Sequence, residues 1–243
     1  MAALLRIMRV AAILLAAGQG SRYSAQTAAP VAKQYVTLGG RPVIRHAADA
    51  LAPHVGMIQP VGDPALLGAA LEGFAPEGCT VLPVVSGGDT RQASVSAGLA
   101  ALDRLPEGER PDLVLIHDGA RPYVPDSVTQ GVIAALSQHA GAIPAVPVAD
   151  TIKRARDGII TDTVPRTDLF RAQTPQGFRF GLLRDLHRSA EAADATDDAA
   201  LLEKAGHPVA IVPGSEDNIK LTYKEDLVRL ERLIGPTLLP RTG

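Results

Sequence analysis

Two glycines and two cations stand out in a stretch with almost no other charge: Gly18 and Gly20 in "LLAAGQGSRY", then Arg22 and Lys33. Glycines so spaced let backbone N–H groups approach an anion closely, and two cations can converge on the same anion. The same letters admit other readings. A dinucleotide fingerprint needs a third glycine where this chain has Tyr23, and Asp63, the one acidic candidate for its ribose, is better explained by a turn. Arg6 and Arg9 before a short apolar run that ends in small residues have the layout of a signal peptide. A first β-strand is the preferred reading, because cleavage after the alanines removes the element that presents the glycines. A second candidate is Asp118 in "HDGARP", directly after an apolar run and followed by Gly119 and Arg121. A carboxylate there suits a Mg²⁺ carried in by phosphates, which takes one or two protein carboxylates plus phosphate oxygens and water. A turn aspartate capping the next segment is the equal alternative. His117 has no His or Cys companion at metal spacing and no place in a Ser-His-Asp order, so it is given no role beyond packing.

Composition narrows the partners. With Lys+Arg 24 against Asp+Glu 26 the formal net charge is -2, so binding to a nucleic-acid backbone or an anionic membrane is not indicated. Aromatic residues are 3% and tryptophan is absent, too few for a base-stacking platform. Cys79 is the single cysteine, which excludes an internal disulfide framework and a Cys-rich zinc site. No apolar run reaches the roughly 18 residues that span a bilayer. The expectation is a cytoplasmic protein that handles small molecules.

The elements that must position these residues alternate. Apolar runs of strand length occur at 10–17, 55–62, 79–85, 112–118, 142–148 and 209–214, and read as strands buried on both faces. Helical spacing of apolar residues occurs at 42–52, 91–102, 126–139 and 223–234; in the last, Leu227, Leu230 and Leu233 share one face. This rhythm predicts an α/β fold, a Rossmann-like, mostly parallel sheet flanked by helices. Residues 1–234 are expected to form a single domain, with a frayed tail at 235–243. Residues 150–170 depart from the rhythm: two β-rich stretches flank Asp157-Gly158, a hairpin-turn signal. A charged hairpin with little core of its own projects from the sheet, either to pack on another subunit or into solvent. Ligands of parallel sheets sit beyond the carboxyl ends of the strands. "GQGSR", "SGGDTRQAS", "HDGARP", "ADT" and "SEDNIK" all fall there.

Taken in order, "LLAAGQGSR…KQY", "SGGDTRQASV", "HDGARP", "VADTIK", "TVPRTDL", "AQTPQGF", "ATDDAALLE" and "EDNIKLT" resemble the 2-C-methyl-D-erythritol 4-phosphate cytidylyltransferases over residues 11 to about 234. The resemblance implies transfer of CMP from CTP to 2-C-methyl-D-erythritol 4-phosphate, with release of pyrophosphate, in isoprenoid-precursor synthesis. It implies that Ala16, Ala17, Gly18, Gly20 and Arg22 hold the triphosphate beside Lys33. Gly88, Asp89 and Ser94 match positions around cytosine and ribose, with Arg91 close by. Asp118 and Arg121 match positions near metal, nucleotide and acceptor. Thr151, Arg166, Thr174 and Thr196 match acceptor-phosphate or active-site positions, and Lys220 of "DNIK" matches a second lysine of the pattern. The hairpin arm of that family reaches across a homodimer, so Thr151 and Arg166 are candidates for the neighbouring subunit's site. Another sugar-phosphate nucleotidylyltransferase and a non-catalytic nucleotide-binding regulator are the alternatives.

Physical chemistry agrees with a charge-stabilising mechanism. A phosphate monoester oxygen is already anionic at neutral pH, so attack on the α-phosphorus needs no general base. It needs cations preorganised where negative charge accumulates, which the resemblance supplies as Arg22, Lys33, Arg166 and Lys220, with Mg²⁺ at Asp118. Two departures from the family pattern stand out. Ala32 precedes the loop lysine where proline is common, the nearest proline being Pro30. Gly119 replaces a common alanine and is expected to loosen the turn.

Overall fold

Each central apolar run sends alternate side chains to opposite faces of a sheet, and both faces need cover. The computed structural model describes residues 8–16, 32–189 and 197–235. In chain order the strands are β1 (Val10–Leu15), β2 (Thr37–Leu38), β3 (Arg41–Pro42), β4 (Met57–Gly62), β5 (Thr80–Val81), β6 (Val85–Ser86), β7 (Leu113–Asp118), β8 (Gly141–Pro147), β9 (Ile152–Arg156), β10 (Ile159–Val164), β11 (Phe170–Ala172), β12 (Gln176–Arg179) and β13 (Val209–Pro213). The helices are α1 (Val43–Leu51), α2 (Pro64–Ala70), α3 (Arg91–Asp103), α4 (Asp126–Ala135), α5 (Phe180–Arg188), α6 (Asp198–Lys204) and α7 (Lys224–Ile234).

The main sheet runs β11-β8-β12-β7-β1-β4-β5, with β13 also paired to β8 and β6 to β4. β1 is parallel to both β4 and β7, and β13 is parallel to β8. The short β12 is antiparallel to β7 and β8 and bridges them, which leaves those two strands pointing the same way. The carboxyl ends of β1, β4, β7, β8 and β13 therefore share one edge.

Ala12, Leu14, Leu113 and Leu115 face a layer containing α1, α2 and α4, through Ile44, Leu51, Leu67 and Val132. Ala11, Ile13, Val114 and Ile116 face α3, α5 and α6, through Val95, Leu99, Leu183 and Leu202. Residues 11 to 14 have no exposed surface. Burying each large aliphatic side chain stabilises by about 1.5–3 kcal/mol, so the segment is a central strand, as read. In α7, Leu230 is buried in a small cluster with Leu38, Val43 and Leu221, and Leu227 and Leu233 pack beside it.

Two expectations are corrected. The run at 79–85 is not one strand but β5 and β6, separated at 82–84. Pro83 has no N–H for the ladder, and the Gln59 side chain crosses the gap, its Nε2 donating to the Pro83 carbonyl at 2.9 Å. Burial on both faces also fails for residues 80–85 and for β13, which are partly exposed; these strands close the sheet instead of sitting inside it. Cys79 is buried, and burial pushes its thiol pKa up.

The hairpin forms as expected. β9 and β10 pair antiparallel across Asp157 (φ 51) and Gly158 (φ 79), the left-handed pair that a tight two-residue turn needs. Ile159 and Ile160 are 71% and 61% exposed on it. Among the described residues no helix is long and apolar enough to cross a membrane.

Candidate active site

Asp118 closes β7, and the shared sheet edge brings the segments after β6, β7 and β13 to it. Its Oδ2 accepts a hydrogen bond from Lys220 Nζ at 2.6 Å. Arg91 Nε, at the start of α3, stands 3.7 Å from Oδ1. Burial alone would raise the pKa of Asp118; Lys220 and Arg91, with Arg121 beyond them, overcome it and hold the carboxyl well below the usual carboxylate range. Burial opposes the charge on Arg91, yet Asp198 and Asp118 outweigh it and raise that guanidinium's pKa. The result is an ionised carboxylate among three cations at the carboxyl edge of the sheet.

The backbone at Asp118 is braced from behind. Its N–H donates to Thr174 Oγ1 at 3.2 Å, and that hydroxyl lies 3.0 Å from His117 Nδ1. His117 Nε2 is 3.1 Å from the Arg121 carbonyl, which can only accept, so Nε2 carries the proton and Nδ1 takes the Thr174 hydroxyl hydrogen. Complete burial pushes the His117 pKa down to about 4 against the raising effects of the Arg121 carbonyl and Asp118, so the ring is neutral at pH 7. Asn218 Nδ2 donates to the Thr174 carbonyl at 2.9 Å, and Arg121 Nη1 donates to the Asn218 carbonyl at 2.5 Å. Leu221 N–H donates to the Ala120 carbonyl at 2.8 Å. The "HDGARP" and "DNIK" segments are thus stitched into one unit, with Lys220 and Asp118 as its facing charges.

The segment after β6 turns sharply into α3. Thr90 caps the helix through Oγ1, which accepts from Ala93 N–H at 3.0 Å. Ser94 is buried, and its hydroxyl accepts from Gly88 N–H at 3.1 Å. Gly88 and Asp89 are exposed. A Cβ at Gly88 would stand 2.5 Å from Ala93 Cβ, so the turn requires glycine by close approach.

Lys33 begins a single 3-10 turn, Lys33–Tyr35. Gln34 beside it is buried, and its Nε2 donates to the Ala16 carbonyl at 2.6 Å, tying the lysine turn to the end of β1. Ala32 has φ -62, the angle a proline would impose. Burial, aided by Asp63, pushes the Tyr35 hydroxyl up to about 12.

Among the expected site residues, Asp118, Arg121, Thr174, Lys220 and Arg91 come together. Ser94 with Gly88 shapes the adjoining turn. Ala17, Gly18, Gly20, Arg22 and Thr196 lie outside the described residues. Thr151 and Arg166 are exposed at the hairpin arm, where Arg166 Nη1 donates to the Ala149 carbonyl, and no described contact ties either to Asp118. Asp63 is the N-cap of α2, accepting from Ala65 and Leu66 N–H, as a turn residue should.

Gly119 corrects an expectation. The turn there is packed, not loose: a Cβ would lie 1.9 Å from Ile44 Cδ1 and 2.7 Å from the Leu15 carbonyl oxygen. Ile44 occupies the space that an alanine side chain needs.

Sequence reasoning missed the residues behind the site. Asp198 is fully buried, accepts from Arg91 Nη1 at 2.6 Å and lies 3.0 Å from His187 Nε2. Asp197 caps α6 through Ala200 N–H and accepts from Gln176 Nε2 at 2.9 Å. Both aspartates lie in "ATDDAALLE", and the doubled acid before a helix was the available signal.

Among the described residues no group of three or more His, Cys, Asp or Glu side chains could hold a metal. The donor set fits a magnesium ion that arrives on phosphates and needs one carboxylate, Asp118, but not a resident ion caged by protein.

Comparison with known proteins agrees with this fold. The family model described as 2-C-methyl-D-erythritol 4-phosphate cytidylyltransferase matches residues 10–235. A bifunctional enzyme IspD/IspF of Gluconobacter oxydans is 62% identical over 238 residues, which are 97% of this chain and 59% of that protein. The chain thus spans somewhat over half the length of that relative. The crystal structure of a 4-diphosphocytidyl-2C-methyl-D-erythritol synthase superposes with a TM-score of 0.77 at 31% identity, covering 94% of this chain and all of that one. That of the 2-C-methyl-D-erythritol 4-phosphate cytidylyltransferase from Thermus thermophilus gives 0.72 at 32% identity, covering 93% and 98%.

Proposed function

We propose, since the chain belongs to the 2-C-methyl-D-erythritol 4-phosphate cytidylyltransferase family, that it transfers CMP from CTP to 2-C-methyl-D-erythritol 4-phosphate in the cytoplasm. The observation that carries this reading is the convergence of Lys220, Arg91 and Arg121 on Asp118 at the carboxyl edge of the sheet. An acceptor phosphate oxygen forms a new bond to the α-phosphorus of CTP. The bond from that phosphorus to the bridging oxygen breaks, and its electron pair leaves with pyrophosphate. The attacking oxygen is already anionic, so no side chain has to remove a proton. Fixed cations offset the charge that gathers as nucleophile and leaving group share one phosphorus.

In this assignment Arg22 and Lys33, with Ala16, Ala17, Gly18 and Gly20, hold the triphosphate. Gly88, Asp89 and Ser94 form the cytidine side. Asp118 and Arg121, with Thr174 and Thr196, face the acceptor, and Lys220 neutralises phosphate charge. Asp118 is the carboxylate that would hold a magnesium ion carried in by the phosphates, and that ion would supply further neutralisation of the triphosphate charge. Thr151 and Arg166 serve the acceptor phosphate from the arm of a second copy; the exposed Ile159 and Ile160 support burial of that arm against a partner, making a homodimer.

The test is pyrophosphate release measured with each of the four nucleoside triphosphates, with and without the acceptor. Release with CTP alone among them, and only when acceptor is present, is expected. CTP binding with no acceptor-dependent release would sink the reading.

A further inference from the structure

Asp198 has no solvent contact, yet a buried carboxylate persists as an anion only where partners compensate its lost hydration. Two partners do so from opposite sides. Oδ2 accepts from Arg91 Nη1 at 2.6 Å, and Oδ1 lies 3.0 Å from Nε2 of His187, whose side chain is 2% exposed. An ionised carboxylate only accepts, so His187 donates. His187 Nδ1 has no hydrogen-bond partner among the described residues, so the described polar contact of this ring is the one to Asp198.

Arg91 stands between two carboxylates and treats them unequally. It is in hydrogen-bond contact with Asp198, while its Nε remains 3.7 Å from Asp118 Oδ1. Guanidinium and carboxylate otherwise prefer a two-pronged pair. Such a pair at Asp118, added to Lys220 on Oδ2, would occupy the carboxylate on both oxygens.

We propose that Asp198, braced by His187, is a positioning residue: it holds the Arg91 guanidinium back from Asp118 and so leaves Oδ1 of Asp118 to a substrate. This inference rests on the reading above that Asp118 contacts the acceptor. It assigns a role to a residue that touches neither substrate.

A double-mutant cycle on the full chain tests it, with Asp198→Asn, Arg91→Gln and the two combined, each assayed by pyrophosphate release. With Asp198 neutralised, Arg91 closes on Asp118. The acceptor KM then rises about tenfold or more while kcat changes less than about threefold, the signature of lost ground-state binding. In the Arg91→Gln background no guanidinium can close, so the same Asp198→Asn change moves the acceptor KM less than about twofold. A crystal structure of Asp198→Asn should show two of the Arg91 guanidinium nitrogens on Asp118.

An equal rise in both backgrounds, or no rise at all, overturns the proposal. If Asp198→Asn does not accumulate as folded protein, Asp198→Ser, whose smaller side chain admits water to Arg91, is read in the same cycle. Asp118→Asn measured alongside separates this inference from the reading beneath it. An unchanged acceptor KM in Asp118→Asn removes the assignment of Asp118. A raised KM there, with none in Asp198→Asn, removes the positioning role alone.

Discussion

Replacing Gly119 by alanine tests how tightly the sheet edge at Asp118 is packed. The added Cβ would meet Ile44 Cδ1 at 1.9 Å and the Leu15 carbonyl oxygen at 2.7 Å. These two neighbours yield differently. Cδ1 is the free end of a side chain and can turn aside, though pushing χ about 30° off its rotamer in this fully buried residue of α1 costs about 0.5–1.5 kcal/mol. The Leu15 oxygen is backbone, fixed by β1 between two parallel neighbours, and it also accepts the Gly119 N–H at 2.9 Å. Overpacking of this kind typically costs about 1–3 kcal/mol, so Gly119→Ala should lower the urea midpoint with an unchanged m-value. Ile44→Val removes Cδ1 and costs about 0.5–1.5 kcal/mol by itself. The loss in the double variant should fall short of the sum of the two single losses by at least about 0.5 kcal/mol, because the shorter side chain vacates the space the alanine fills. A Gly119→Ala protein as stable as wild type, or an equal alanine penalty with and without the Ile44→Val change, would refute the packing argument.

Other perturbations follow from the same geometry. His117 is depressed from 6.5 to about 4 in the folded chain, so between those values the unfolded chain binds the proton and stability falls as pH drops; at about 1.4 kcal/mol per unit the loss reaches roughly 3 kcal/mol. His117→Gln should flatten that slope in urea titrations at pH 7 and pH 5, and an unaltered slope would place the acid sensitivity elsewhere. Lys220→Met should lower kcat by on the order of a hundredfold while the fold stays intact by circular dichroism; a loss of only a few fold would remove Lys220 from the charge-stabilising set. Ala32→Pro, at a residue whose φ is already -62, should raise stability by about 0.4–1 kcal/mol in the same urea assay. Ile159→Ser with Ile160→Ser should shift sedimentation toward a monomer, and an unchanged sedimentation coefficient would count against the arm as the dimer contact.

What the sequence made legible depends on the distance over which each feature is encoded. β1 and β7 follow from local apolar runs, and both appear where expected. Asp157-Gly158 is equally local, since both residues must adopt positive φ. The split at 82–84 could not be read from apolarity, because Pro83 is as hydrophobic as its neighbours but lacks the N–H, and the residue that repairs the ladder, Gln59, is 24 positions away. β12 is four residues long, too short for any period to declare itself.

The site divides in the same way, and the division explains the missed residues. Asp118 was visible because a lone carboxylate ending an apolar strand is chemically conspicuous. Its ionisation, however, depends on Lys220, 102 residues on, and its backbone is fixed by Thr174, 56 residues on. Arg91 and Asp198 are separated by 107. None of these pairings leaves a mark in local spacing, since any of several cations along the ligand edge could have met any of several acids. The fold chooses among them: β12, inserted antiparallel beside β7, carries the chain from Thr174 behind Asp118 into α5, and α5 presents His187 to Asp198 at the start of α6. Charge balance at Asp118 is therefore set by where β7 meets the start of α3 and the segment after β13, with α5 and α6 fixing Arg91 from behind through Asp198, and variants that disturb this arrangement should shift the charge balance of Asp118 without replacing Asp118 itself.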